Sequence, residues 1–140
     1  HRARCGAGRV GALVDDVVTM LWVALGGGVG AAARYALDRV VSARWRGRFP
    51  LGTFLVNVSG SLALGLLTGL LVDGSLPLVL VGTGVLGGYT TFSTASYDTV
   101  RLVRERRFGT AVVYGVGTML VTVAAAALGL WLAGGWSTVG

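Results

Sequence analysis

One amide and a row of hydroxyls, set in segments otherwise built from Leu, Val, Ala and Gly, are the residues of this chain with chemistry to offer. Thr53, Asn57 and Ser61 are spaced by four, so on a helix they share a face. Thr110, Tyr114, Thr118 and Thr122 repeat at the same interval. Amide N–H groups and hydroxyls donate hydrogen bonds without carrying charge. A row of such donors suits an anion that must shed water, be held and then be released. Plainer uses exist. A lone Asn serves as an interhelical hydrogen bond, worth about 0.6–2 kcal/mol in a membrane, and a lone Thr bonds the carbonyl one turn back. Four hydroxyls in one row exceed what that habit explains. A third region, Gly87-Gly88-Tyr89-Thr90-Thr91-Phe92-Ser93-Thr94, interrupts an apolar run. Adjacent glycines followed by hydroxyl residues predict a helix break. Carbonyls freed inside a membrane must be buried in protein or hold an ion such as Na⁺.

Covalent and metal-thiolate chemistry have little material here. His1 is the only histidine and Cys5 the only cysteine, so there is no Ser-His-Asp set and no disulfide framework. Gly82-Thr83-Gly84-Val85-Leu86-Gly87 spells GxGxxG. A dinucleotide site needs that motif between a strand and a helix of a soluble unit, and here it lies inside an apolar run. The chain is not expected to be an enzyme.

The elements that position these residues follow from charge. Charged residues make up 13% of the chain, about half of what a soluble domain carries (roughly 25%). The net charge is +6 and every basic residue is Arg. The arginines sit in short clusters between apolar runs, which reads as loop charge beside a membrane and not as a nucleic-acid face. Residues 17–33, 49–72, 74–97 and 108–140 carry no charge. Each is near or above the roughly 20 residues that cross the hydrocarbon core as a helix. The reading is an all-α integral membrane protein of four transmembrane helices, the third broken, over residues 17–136. Residues 1–16 read as a tail, either disordered or an artefact of start-site choice. The short connection at Asp73 makes the second and third helices antiparallel neighbours. Gly26 and Gly30, and Gly65 and Gly69, are four apart, the spacing that lets helix backbones approach.

Three motifs carry a family resemblance. Gly26-Gly27-Gly28-Val29-Gly30-Ala31-Ala32-Ala33-Arg34-Tyr35 resembles a GGxxGAxxRY opening that starts at Gly27; Gly52-Thr53-Phe54-Leu55-Val56-Asn57-Val58-Ser59-Gly60-Ser61 resembles a GTxxxNxxGS second helix; Gly87 to Thr94 resembles a GxxTTFST break. They are those of the CrcB, or Fluc, fluoride channel family, and the likeness covers about residues 21–134. It implies a passive fluoride channel in the cell membrane that lowers cytoplasmic fluoride. It implies an antiparallel, dual-topology dimer with two pores and a structural Na⁺ at its centre. The matching positions are Gly87 and Thr90 for the Na⁺-holding carbonyls, and Asn57, Phe92, Tyr114, Thr118 and Thr122 for the pore. Arg34 matches a structural Arg, and Asp98 stands where the family usually places Glu. An aromatic ring has a positive edge, so Phe92 can face fluoride without a fixed charge that would hold it too tightly. Asn57 and Phe92 are each expected to be needed for flux and dispensable for insertion and assembly.

Ala95 departs from the pattern, since the resemblance implies a second pore Phe there. Arginine placement raises a second question. Arg39, Arg44, Arg46, Arg48, Arg101, Arg104, Arg106 and Arg107 fall on one side of the four spans, and only Arg2, Arg4 and Arg9 on the other. Both a homodimer and a heterodimer with a paralogue fit the family, and the bias favours the heterodimer. Two other readings are a degenerate structural subunit of such a heterodimer and a small proton-coupled multidrug exporter. The exporter requires a membrane-embedded acid, which residues 17–33, 49–72 and 108–140 lack.

Overall fold

The structure, a computed structural model, describes residues 2–71 and 75–137, with side chains from 8 to 71 and 75 to 134. Asp73 and its connection lie outside the described residues. The elements are α1 (Arg2–Arg44), α2 (Leu51–Leu70), α3 (a π-helix over Leu78–Leu86 followed by the single turn Gly87–Tyr89), α4 (Phe92–Arg104) and α5 (Phe108–Ser137). Four stretches are long and apolar enough to cross a membrane: Gly8–Arg44, Leu51–Leu70, Leu78–Arg104 (α3 and α4 together) and Phe108–Gly134.

What each helix buries inverts the soluble pattern. The buried positions of α2 are Gly52, Thr53, Val56, Asn57, Gly60 and Gly65, a stripe of mainly small and polar residues at helical spacing. The large apolar residues, such as Trp22, Leu25, Val113 and Trp131, face outward. In lipid, the polar groups need protein around them and the apolar ones do not.

Small residues set the helix contacts. A Cβ at Gly65 would strike the Ala126 carbonyl, and one at Gly129 the backbone of α2 near Leu62 and Leu66. α2 and α5 therefore pack backbone to backbone and run in the same direction. A Cβ at Gly30 would strike the Val85 carbonyl, and one at Gly88 the Gly27 carbonyl, so α1 and α3 are joined in the same way. A Cβ at Gly82 of α3 would lie 3.5 and 3.7 Å from the side chains of Leu64 and Leu67 of α2, the expected neighbours.

The α4–α5 turn closes at the arginine-rich end. Arg106 takes the left-handed conformation (φ 59°). Its N–H bonds the Val103 carbonyl and the Arg107 N–H the Leu102 carbonyl, both at 2.9 Å. This double bond to the last helical turn is the Schellman arrangement. Beneath it Leu102, Ala111 and Tyr114 are buried with Phe49 and Phe54 packed on them. Phe49 meets Phe54 and Tyr114 edge to face, centroids 5.6 and 5.2 Å apart.

Two features differ from the sequence reading. Helix α1 begins at Arg2, so the segment read as a tail is wound as helix; its described side chains from Gly8 to Val18 are exposed. The break also lies later than the paired glycines suggest. Gly87 and Gly88 are helical, and the extended residues are Thr90 (φ −74°, ψ 153°) and Thr91 (φ −148°, ψ 120°). Gly88 is small because the Gly27 backbone lies against it, and the chain opens at the hydroxyl residues that can replace lost backbone bonds.

Candidate functional site

Asn57 holds the break open. Its Nδ2 donates to the Thr91 carbonyl and its Oδ1 accepts from the Thr91 N–H, both at 2.8 Å. One side chain thus satisfies both backbone groups of an extended residue in mid-span, where leaving each unpaired would cost about 1–3 kcal/mol. Thr91 then starts α4: its Oγ1 accepts from the Thr94 N–H at 3.2 Å, the N-cap pattern. The Thr90 hydroxyl donates back to the Leu86 carbonyl at 3.0 Å.

These bonds redistribute the carbonyls. In an unbroken helix the Thr91 N–H would bond the Gly87 carbonyl, and the Thr94 N–H the Thr90 carbonyl. Asn57 takes the first N–H and the Thr91 hydroxyl takes the second. Gly87 and Thr90, the two positions named for carbonyl ligation, each lose their helical donor. Leu86 and Thr91 carbonyls accept other bonds.

A cavity of about 550 Å³ adjoins the break, lined among others by Asn57, Ser61, Phe92, Tyr114, Thr118 and Thr122. Thr90, Thr91 and Ala95 also reach it. α2, α4 and α5 thus bring together the pore residues named from the sequence. Phe92 is 88% exposed, because α4 turns its first residue away from the bundle. The hydroxyls of α5 differ in state. The Tyr114 hydroxyl donates to Asp98 Oδ2 at 3.4 Å. Thr122 donates to the Met119 carbonyl at 2.9 Å. The Thr118 hydroxyl is buried on the cavity wall with no hydrogen-bond partner. Thr110 is not among the lining residues. Asn57 commits one of its two N–H groups and its oxygen to Thr91, so beyond the expected pore donor it is also a support of the break.

Asp98, marked from the sequence only as standing where the resemblance places Glu, was given no role there. It is 7% exposed and accepts from Thr53 Oγ1 at 3.2 Å as well as from Tyr114. Arg101 lies at 3.6 Å. One signal was present: an acid three residues before an Arg at the end of an apolar span, the helical spacing for a pair. Arg34 lines a second cavity of about 150 Å³ with Asp38, Thr53, Thr91 and Thr94. Thr91 borders both cavities. Among the described residues the ion pairs are Arg101–Asp98 and Arg107–Glu105, and Arg34 belongs to neither.

The family model described as "CrcB-like protein, Camphor Resistance (CrcB)" matches residues 21–130. A protein of Leifsonia xyli subsp. xyli named fluoride-specific ion channel FluC 1 is 50% identical over 120 residues, 84% of this chain and 88% of its own. One of Yersinia pseudotuberculosis named fluoride-specific ion channel FluC 2 is 43% identical over 122 residues, 83% and 97% of the two chains. A FluC 2 of Brucella abortus is 45% identical over 120 residues, covering 81% and 93%.

Proposed function

Because this chain belongs to the CrcB family, whose relatives are named ion channels and not enzymes, we propose that it carries fluoride passively out of the cell across the membrane its four spans cross. One observation supports this most: a mid-membrane cavity lined by neutral donors. The Thr118 hydroxyl has no protein partner, and Asn57 keeps one N–H beyond the bond to Thr91. Phe92 adds an aromatic edge. A small, strongly hydrated anion gains most from closely placed donors, and without a fixed positive charge it is released again. An inside-negative potential drives an anion outward by about 2.3 kcal/mol per charge per 100 mV.

The working unit is an antiparallel dimer. The Phe92 face of the cavity is open, and freed backbone at membrane depth has to be covered by protein or line a water-filled cavity. A second chain supplies that cover. The Gly87 and Thr90 carbonyls of both chains would hold a structural Na⁺. The donors fit: carbonyl oxygen suits a hard cation, and these two have lost their helical N–H partners. Bound there, Na⁺ supplies positive charge that ties the two breaks together.

Fluoride efflux from liposomes tests the reading. Loaded vesicles should release fluoride on dissipation of the potential, with chloride release at the level of empty vesicles. Equal fluoride and chloride flux would falsify it. For the cation, exchanging Na⁺ for a large organic cation should weaken or abolish fluoride flux. Labelled sodium should not move with the fluoride; sodium flux in step with it overturns the structural role.

A further inference from the structure

We infer that the α1–α2 and α4–α5 connections together form a surface site for the headgroups of anionic phospholipids. The inference rests on the four membrane spans and not on the ion that the cavity passes. The two connections lie side by side. Phe49, near the end of the first, packs on the cluster of Leu102, Ala111 and Tyr114 that flanks the second. Both are built turns. The Trp45 indole folds back over the first, its Nε1–H donating to the Phe49 carbonyl at 3.0 Å, and a Cβ at Gly47 would strike the indole ring. The second is closed by the bonds from the Arg106 and Arg107 N–H groups to the last turn of α4. Backbones held in this way present their side chains from fixed places, so less ordering accompanies binding.

Most of the charge on these turns is unpaired. Arg39, Arg101 and Arg107 meet Tyr35, Asp98 and Glu105 within the chain. Arg44, Arg46, Arg48, Arg104 and Arg106 are exposed and belong to no ion pair among the described residues. Guanidinium groups hold phosphate through paired N–H bonds. These five stand at the ends of membrane spans, the level at which headgroups lie. Exposed Trp45 stands between Arg44 and Arg46, and exposed Phe108 follows Arg107; aromatic rings suit the same interfacial layer. A soluble phosphate would meet the charge alone. A phospholipid meets the charge, the rings and the apolar outer faces of the helices at once, as in the basic pockets between membrane helices that bind anionic lipid.

Trp45 reports on the site. With Trp22→Phe, Trp131→Phe and Trp136→Phe it is the sole indole of the full chain. That chain is reconstituted in phosphatidylcholine bilayers containing either phosphatidylglycerol or phosphatidylcholine with brominated tails, which quench indole on contact. Quenching by the phosphatidylglycerol should reach half its maximum at a lipid fraction about tenfold lower, and this advantage should shrink as ionic strength rises. Arg44→Gln, Arg46→Gln and Arg48→Gln together should remove most of the preference. Arg104→Gln with Arg106→Gln should also weaken it, because the site is shared. Unchanged quenching by brominated phosphatidylcholine shows that each variant is inserted, and the salt series, run with every arginine in place, stands should one fail to insert. Equal quenching by the two lipids overturns the inference. So does a preference that survives both sets of substitutions or high salt. Inorganic phosphate, at matched ionic strength, should leave the quenching unchanged; displacement of the brominated lipid by it would assign the site to a soluble anion and overturn the lipid.

Discussion

Asn57→Ala is expected to abolish fluoride flux and to destabilise the folded chain by about 2–6 kcal/mol, the sum of two backbone groups left unpaired. The substitution removes both bonds to Thr91 and leaves an extended residue in mid-span without partners. The chain then either straightens at Thr90–Thr91, which returns the donors of the Gly87 and Thr90 carbonyls, or stays open at that cost. Both outcomes destroy the cavity wall. Phe92→Ala is the contrast. Phe92 is 88% exposed, so its loss should cut flux and leave unfolding in detergent unchanged. The pair of measurements distinguishes a residue that builds the site from one that only faces the ion. Wild-type stability and flux in Asn57→Ala would show that the clamp is dispensable.

Gly30→Ala should remove most folded protein. One methyl at Gly30 runs into the Val85 carbonyl and approaches the Tyr89 nitrogen to 2.8 Å. Neither is the end of a flexible side chain, so α1 and α3 must separate along their length. Overpacking in a tight core costs about 1–3 kcal/mol and sometimes more, and rigid backbone on both sides places this site at the upper end. Gly28→Ala is the control. A Cβ there meets nothing within 4 Å, and Ala in a helix gains about 0.5–1 kcal/mol over Gly. Yield of monodisperse protein and midpoint of thermal unfolding should fall sharply for Gly30→Ala and hold or rise for Gly28→Ala. Equal behaviour of the two would mean that α1 and α3 do not meet at this glycine.

The four spans were legible in the sequence because a membrane imposes one simple demand: about 20 residues without charge. The Thr53, Asn57 and Ser61 row and the α5 hydroxyls were legible because a polar group in such a run needs a reason, and helical spacing puts equally spaced residues on one face. Spacing within one segment says nothing of the partner on another. That Asn57 pairs with Thr91, 34 residues away, required the packing of α2 against the break. The same holds for Asp98, whose bonds to Thr53 and Tyr114 join three helices at a position the sequence offered as one more charge at the edge of a basic cluster. The break was read over Gly87–Thr94, from the adjacent glycines and the hydroxyl residues after them, without a position inside that range. The tertiary structure places it at Thr90–Thr91, because Gly88 is occupied in letting α1 approach and Asn57 offers replacement hydrogen bonds to Thr91. The π-helical winding of Leu78–Leu86 has no sequence signal at all among residues this uniformly apolar. Solvent-level demands are written locally, residue by residue. Which donor meets which carbonyl is decided only when the helices meet.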